Sequence, residues 1–128
     1  MKAFIFWTGI YEILAGLVMF FPGLLDSLAI SRPSQMVWTE MLGFLTVFYG
    51  VVLLICSARL SARASIVYWI GLLRLILFVH LGWYGFVENQ GTMLGVMGVV
   101  ELLIGGVYLI GLPGAVGASH RQLLRDSL

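Results

Sequence analysis

The chain has 128 residues, of which 61% are hydrophobic and only 10% charged, against about 25% charged in an ordinary soluble domain; its mean hydropathy is +1.05. A soluble fold this small has too little interior to hide so much apolar surface, so lipid is the expected solvent. The formal net charge of +1 is uninformative, but no basic cluster resembles a phosphate-binding patch and no nucleic-acid partner is expected; the single cysteine, Cys56, excludes an intramolecular disulfide and a multi-cysteine metal site.

Four apolar runs, 3–25, 36–56, 64–87 and 91–112, each have about the 20 residues needed to cross a hydrocarbon core of about 30 Å. The first follows Lys2 and precedes Ser27-Leu28-Ala29, a passable signal-cleavage site. Its apolar stretch is too long for a signal peptide and carries Glu12 in its middle, so it is expected to remain as a span. Gly9, Glu12 and Gly16 share one face of it, and small residues mark surfaces where helix backbones meet closely. After the polar break Ser31-Arg32-Pro33-Ser34, the second run carries a comparable strip of Glu40, Gly43, Val47 and Gly50. Residues 57–63 read as a short polar loop. In the third run Gly71, Arg74, Gly82 and Gly85 occupy one broad face, with His80 displaced from Arg74 by about 120° at 3.6 residues per turn. Glu88-Asn89-Gln90 separates it from the fourth run, where Gly98, Glu101 and Gly105 repeat the first run's pattern. Residues 113–128 form a tail. The connections are too short for a second domain, so the expected fold is a single all-α, four-helix transmembrane bundle.

Lys2, Arg59, Arg63, Arg121 and Arg125 fall at the amino end, the second loop and the tail, whereas the other side has only Arg32, with Asp26 and Glu88. This bias predicts both termini in the cytoplasm, and an inner-membrane location. The aromatic residues divide accordingly. Trp7, Tyr68, Trp69 and Tyr108 are expected near the inner interface, and Trp38, Trp83 and Tyr84 near the outer one.

Five ionisable residues lie within the predicted spans, and an acid or arginine facing lipid there would cost about 2.5–3.5 kcal/mol. Counting along the helices places Glu12, Arg74 and Glu101 about 13–17 Å from the cytoplasmic end, near the midplane. Glu40 and His80 fall about 22–24 Å from it, as an outer polar layer. One arginine cannot cancel two carboxylates. One acid is therefore expected to be protonated or hydrogen-bonded to Tyr11 or Tyr49. The midplane group reads either as a charge-neutralising structural network or as a proton or cation path. His80 could alternatively ligate a haem or chlorophyll metal. His80 and His120 lie towards opposite faces and cannot share a metal, and no paired base accompanies any serine, so no enzyme is expected.

Phe21-Pro22-Gly23-Leu24-Leu25, Glu40, Tyr49-Gly50, Ala58-Arg59, Gly71-Leu72-Leu73-Arg74 and Glu101 together resemble the pattern of the DoxX-like group of small four-helix bacterial membrane proteins, particularly its domain-of-unknown-function type. An arginine expected shortly after the second-span glutamate is missing from Glu40-Met41-Leu42-Gly43-Phe44. The resemblance implies a four-helix bundle and a loose link to redox chemistry. In length, span count and its first-span Glu12 the chain is also similar to the small multidrug-resistance transporters. The leading expectation is a non-catalytic accessory subunit of a larger membrane complex, respiratory, photosynthetic or other redox. Its partners would be membrane lipids and other subunits or copies of itself. The alternatives are a proton-coupled small-molecule transporter using Glu12 or Glu101, and a redox protein holding a quinone or a pigment.

Overall fold

The computed structural model describes residues 1–30 and 36–126; residues 31–35, which include Arg32 and the polar break, and residues 127–128 lie outside the described residues. All regular structure among the described residues is helical, the form in which an apolar segment satisfies its own backbone hydrogen bonds. In chain order the helices are α1 (Lys2–Val18), α2 (Pro22–Ser27), α3 (Met36–Ala58), α4 (Leu60–Gly82), α5 (Thr92–Val116) and α6 (His120–Arg125), with a wider π turn over Trp83–Val87. Three helical stretches, Met36–Ala58, Leu60–Val87 and Thr92–Val116, are long and apolar enough to cross a membrane, with mean hydropathies of 2.2, 1.9 and 2.1. The protein is a small, all-helical integral membrane protein.

α1 is shorter than the expected first span. It has 17 residues, and the apolar run continues to Leu25 only after a break. The last turn tightens through hydrogen bonds from the amides of Met19, Phe20 and Phe21 to carbonyls three residues back. Phe21 is then extended (φ −116°, ψ 95°), because the ring of the following Pro22 disfavours the helical region for the residue before it. Pro22 itself opens α2, where a missing amide hydrogen is harmless.

The expected 57–63 loop is also corrected. α3 runs to Ala58 and α4 begins at Leu60, with only Arg59 between them. Arg63 Nη1 reaches back to donate to the Ile55 carbonyl at 2.5 Å, satisfying one of the acceptors that a helix end leaves open. α5 continues through Pro113 to Val116 and is capped by Gly117, whose left-handed backbone (φ 68°) suits glycine. The tail is not loose. Ser119 and Gln122 form a capping box that starts α6, and Leu123 is fully buried. Tyr68 Oη bonds His120 Nδ1 at 2.8 Å, and Trp69 Nε1 donates to the Leu124 carbonyl at 3.3 Å.

The long helices associate as two antiparallel pairs, each zipped by glycine. A Cβ on Gly9 would stand 2.9 Å from the Gly50 carbonyl oxygen, and one on Gly16 would stand 2.8 Å from that of Gly43. Those contacts set α1 against α3. In the second pair, a Cβ on Gly105 would meet the Gly71 oxygen at 3.0 Å and one on Gly98 the Gly82 nitrogen at 3.0 Å. The pairs meet where Met1 lies on Gly111 and where the rings of Phe4 and Tyr108 meet edge to face. At the far end the Ala29 carbonyl lies against Gly91. The start of α1, the α3–α4 corner and the end of α5 therefore share one end of the molecule, which carries Lys2, Arg59, Arg63, Arg121 and Arg125.

Packing differs between the two halves. At the terminal end Ile5, Leu53, Cys56, Ala64, Val67, Tyr108 and Leu112 fill the interior. In the other half the pairs leave a space between them.

Candidate functional site: an ion triad at the base of an apolar cavity

Arg74 sits at the boundary between the filled half and the open half and is 0% exposed. Its Nη2 donates to Glu12 Oε1 at 2.5 Å and its Nη1 donates to Glu101 Oε2. Two ring faces complete its surroundings, with Cζ 5.3 Å from the centroid of Tyr49 and 5.6 Å from that of Tyr108. Each of the four long helices thus contributes: α1 the Glu12 carboxylate, α3 the Tyr49 ring, α4 the arginine, and α5 Glu101 and Tyr108. The glycines explain the placement. Glu12 lies between Gly9 and Gly16, and Glu101 between Gly98 and Gly105, so the close backbone contacts carry each acid into the interior. Both glutamates are more than nine-tenths buried, at 5% and 7% exposure.

The planar fork of a guanidinium can serve two carboxylates at once, which a lysine ammonium does less well. The ring faces offer the cation electrostatic attraction of about 0.5–2 kcal/mol each. The triad ties one helix pair to the other, since Glu12 belongs to the first and Arg74 and Glu101 to the second. It also carries one carboxylate more than it has cations.

A cavity of about 360 Å³ opens on the side of the triad away from the termini, with Glu12, Glu101 and Tyr11 at its base. Its walls are almost wholly apolar. They include Met19 from the end of α1, Leu42 from α3, Leu77 and Leu81 from α4 and Met97 from α5. Leu25 of α2 and Ile30 close over it from the connection between α1 and α3. Arg74 does not line it.

The structure does not bring Glu40 and His80 together as an outer polar layer. Both are exposed, and no hydrogen bond joins them. Glu40 lies in the second turn of α3, beyond the last glycine contact with α1 at Gly16–Gly43. α1 has ended by that level, and Glu40 is exposed among the described residues. His80 stands on the outward stripe of α4 beside Ile76 and Val79, in a shallow depression, with its ring 4.9 Å from that of Tyr84. Neither His80 nor Glu40 lines the cavity.

Neither expected tyrosine hydrogen-bonds a carboxylate. Tyr49 offers Arg74 its ring face, and its hydroxyl is buried with no hydrogen-bond partner among the described residues, as is Arg74 Nε. Tyr11 lines the cavity instead. Tyr108, assigned from the sequence to the inner interface, is fully buried against Arg74, and Tyr68 is buried under α6. The signal for Tyr108 was present, because it lies seven residues after Glu101 and so returns to the same helix face. Trp7, Trp38, Trp69 and Trp83 are exposed, as interfacial residues would be. Among the described residues no group of three or more His, Cys, Asp or Glu side chains could hold a metal. No family model, curated protein or solved structure matches the chain.

Proposed function

We propose that the protein is a four-span inner-membrane protein that binds a small, mostly apolar molecule between its two helix pairs, with the polar end of that molecule at Glu12 and Glu101. The observation that carries this reading is the cavity of about 360 Å³, apolar along its walls and closed at its base by two buried carboxylates. That size lies in the range of small-molecule sites, and one apolar space with a few convergent polar groups is their usual make-up. An apolar space with nothing to bind would be expected to fill with side chains, as it does in the terminal half.

The fourth span in this reading is α1. At 1.5 Å per residue it is about 26 Å long, and α2 extends the apolar stretch beyond it. Both termini are assigned to the cytoplasm, because the end of the molecule they share carries the positive charges. The cavity then faces the outer half of the bilayer. Membership of the DoxX-like group is part of the proposal and rests on the spacing of Tyr49-Gly50, Arg74 and Glu101, three elements that meet at the triad. An accessory-subunit role has less on its side, since exposed Phe44, Phe48 and Ile76 are covered equally well by lipid.

The test is saturable binding in lipid nanodiscs, measured by equilibrium dialysis with a panel of bicyclic aromatic compounds, neutral and charged, against empty nanodiscs. At least one is expected to bind one to one, and Ala15→Phe, on the α1 wall, is expected to abolish it. Absence of saturable binding across the panel, with nothing small retained by the purified chain in native mass spectrometry, would overturn the reading.

A further inference from the structure

We infer that α6 and the flank of α4 beside it form a docking site for an anionic phospholipid, with the headgroup phosphate against Arg121 and Arg125 and the acyl chains along Ile66, Trp69 and Leu124. The site is separate from the cavity and does not depend on what the cavity binds.

The first observation is where α6 lies. Tyr68 and Trp69, the α4 residues that bond to it, come eight and nine residues after Leu60, about 12–14 Å along α4 from its start. α6 therefore runs beside the membrane helix, not beyond its end. Ile66 and Trp69 on that stretch of α4, and Leu124 on α6, are exposed. On a membrane helix such side chains are covered by lipid, and a short helix with an apolar flank and a basic stripe is suited to the headgroup level.

The second is the direction of the charges. Leu123 is buried on the inner side of α6. Arg121 and Arg125 lie two residues to either side of it and one turn apart, which puts both on the opposite stripe, and both are exposed. Neither takes part in an ion pair or a side-chain hydrogen bond among the described residues. The one acid at this end is Asp126, against Lys2, Arg59, Arg63, Arg121 and Arg125.

The third is that α6 is fixed in place. Its capping box, the Tyr68–His120 bond and the Trp69 bond to the Leu124 carbonyl hold it. Two guanidinium forks are thereby presented to a phosphate without first ordering a tail, so less entropy is lost on binding. An acidic soluble protein would have to strip lipid from Trp69 and Leu124 to reach the pair. A phosphodiester headgroup arrives with the chains that cover them.

The experiment uses the full chain with Trp7, Trp38 and Trp83 replaced by phenylalanine, so that Trp69 alone reports from beside α6. It is reconstituted into phosphatidylcholine liposomes containing equal mole fractions of either brominated phosphatidylglycerol or brominated phosphatidylcholine, and the quenching is compared. Phosphatidylglycerol is expected to associate at least about fivefold more strongly, which is what one basic residue supplies at an anionic surface. Arg121→Gln with Arg125→Gln is expected to bring the two lipids to parity. Lys2→Gln with Arg59→Gln, which removes the same charge from the same end, should leave most of the preference. Excess inorganic phosphate should not displace the lipid. The comparison of the two lipids needs no arginine variant, so it stands even where the glutamine pair loosens α6. Equal quenching by the two lipids would overturn the inference and leave the basic stripe to an acidic soluble partner. A preference that survives the Arg121 and Arg125 variant would overturn the role of these arginines, and one lost equally in both pairs would reduce the site to a diffuse positive end. Displacement by phosphate would overturn the lipid assignment in favour of a soluble anion.

Discussion

Deleting the charge of Arg74 tests the triad most directly. In Arg74→Leu, two carboxylates that are more than nine-tenths buried lose their shared donor, and two tyrosine faces lose the cation between them. Removing one partner from a buried ion pair costs about 3–5 kcal/mol, and the ring contacts place this variant at the upper end of that range. Such a loss changes the unfolding equilibrium by roughly several thousandfold and is a large share of the stability of about 5–15 kcal/mol typical of a folded domain. Reversible unfolding in mixed micelles, followed by helicity and tryptophan fluorescence, measures it. The companion variant carries Glu12→Gln, Arg74→Leu and Glu101→Gln together. With no charge left unpaired, it is expected to recover most of the loss, because the desolvation of the ions and their attraction largely offset each other. Arg74→Lys should fall between the two, since an ammonium lacks the fork that spans both acids. The reasoning fails if Arg74→Leu lies within about 1 kcal/mol of the native protein, or if the triple variant is as unstable as the single one.

The glycine zippers predict an uneven response to alanine. A Cβ at Gly50 would lie 2.6 Å from the Gly9 carbonyl oxygen, which is backbone and cannot swing aside. Gly50→Ala should therefore cost about 1–3 kcal/mol in the same unfolding assay. Gly106→Ala meets nothing within 4 Å and should be neutral or stabilise by up to about 1 kcal/mol. Tyr68→Phe removes the hydrogen bond to His120 and should loosen α6 by about 0.5–1.5 kcal/mol. Hydrogen exchange would show faster labelling confined to α6 and the residues beneath it. Topology is read by single cysteines at Lys2, Ser27, Asn89 and Arg121 in a Cys56→Ser background. An impermeant thiol reagent applied to intact cells should modify those at 27 and 89, and reach those at 2 and 121 only after permeabilisation. Any other grouping would contradict the proposed orientation.

The sequence alone determined the solvent, the helical class and the chemistry of the interior. Apolar runs of membrane length must be helical because lipid offers their backbones no partners, and a charged residue inside such a run must face something other than lipid. The spacing of Gly9, Glu12 and Gly16, and of Gly98, Glu101 and Gly105, placed both acids in helix interfaces, and the depth of Arg74 made it their common neighbour. Depth was not sufficient for Glu40 and His80. Their levels agreed, yet a side chain finds a partner only where another helix covers its face. α1 ends at Val18, before Glu40 can be covered, and His80 lies on the outward stripe of α4. Rotation about the helix axis and the end point of a neighbouring helix are relations between elements, which no single run encodes. The same limit applied to Tyr108, whose phase with Glu101 was legible but whose position within the packed half was not. The cavity belongs entirely to tertiary structure. It exists because two tightly zipped pairs, filled with side chains at the terminal end, are held apart at the other, and the triad of Glu12, Arg74 and Glu101 lies where those two conditions meet.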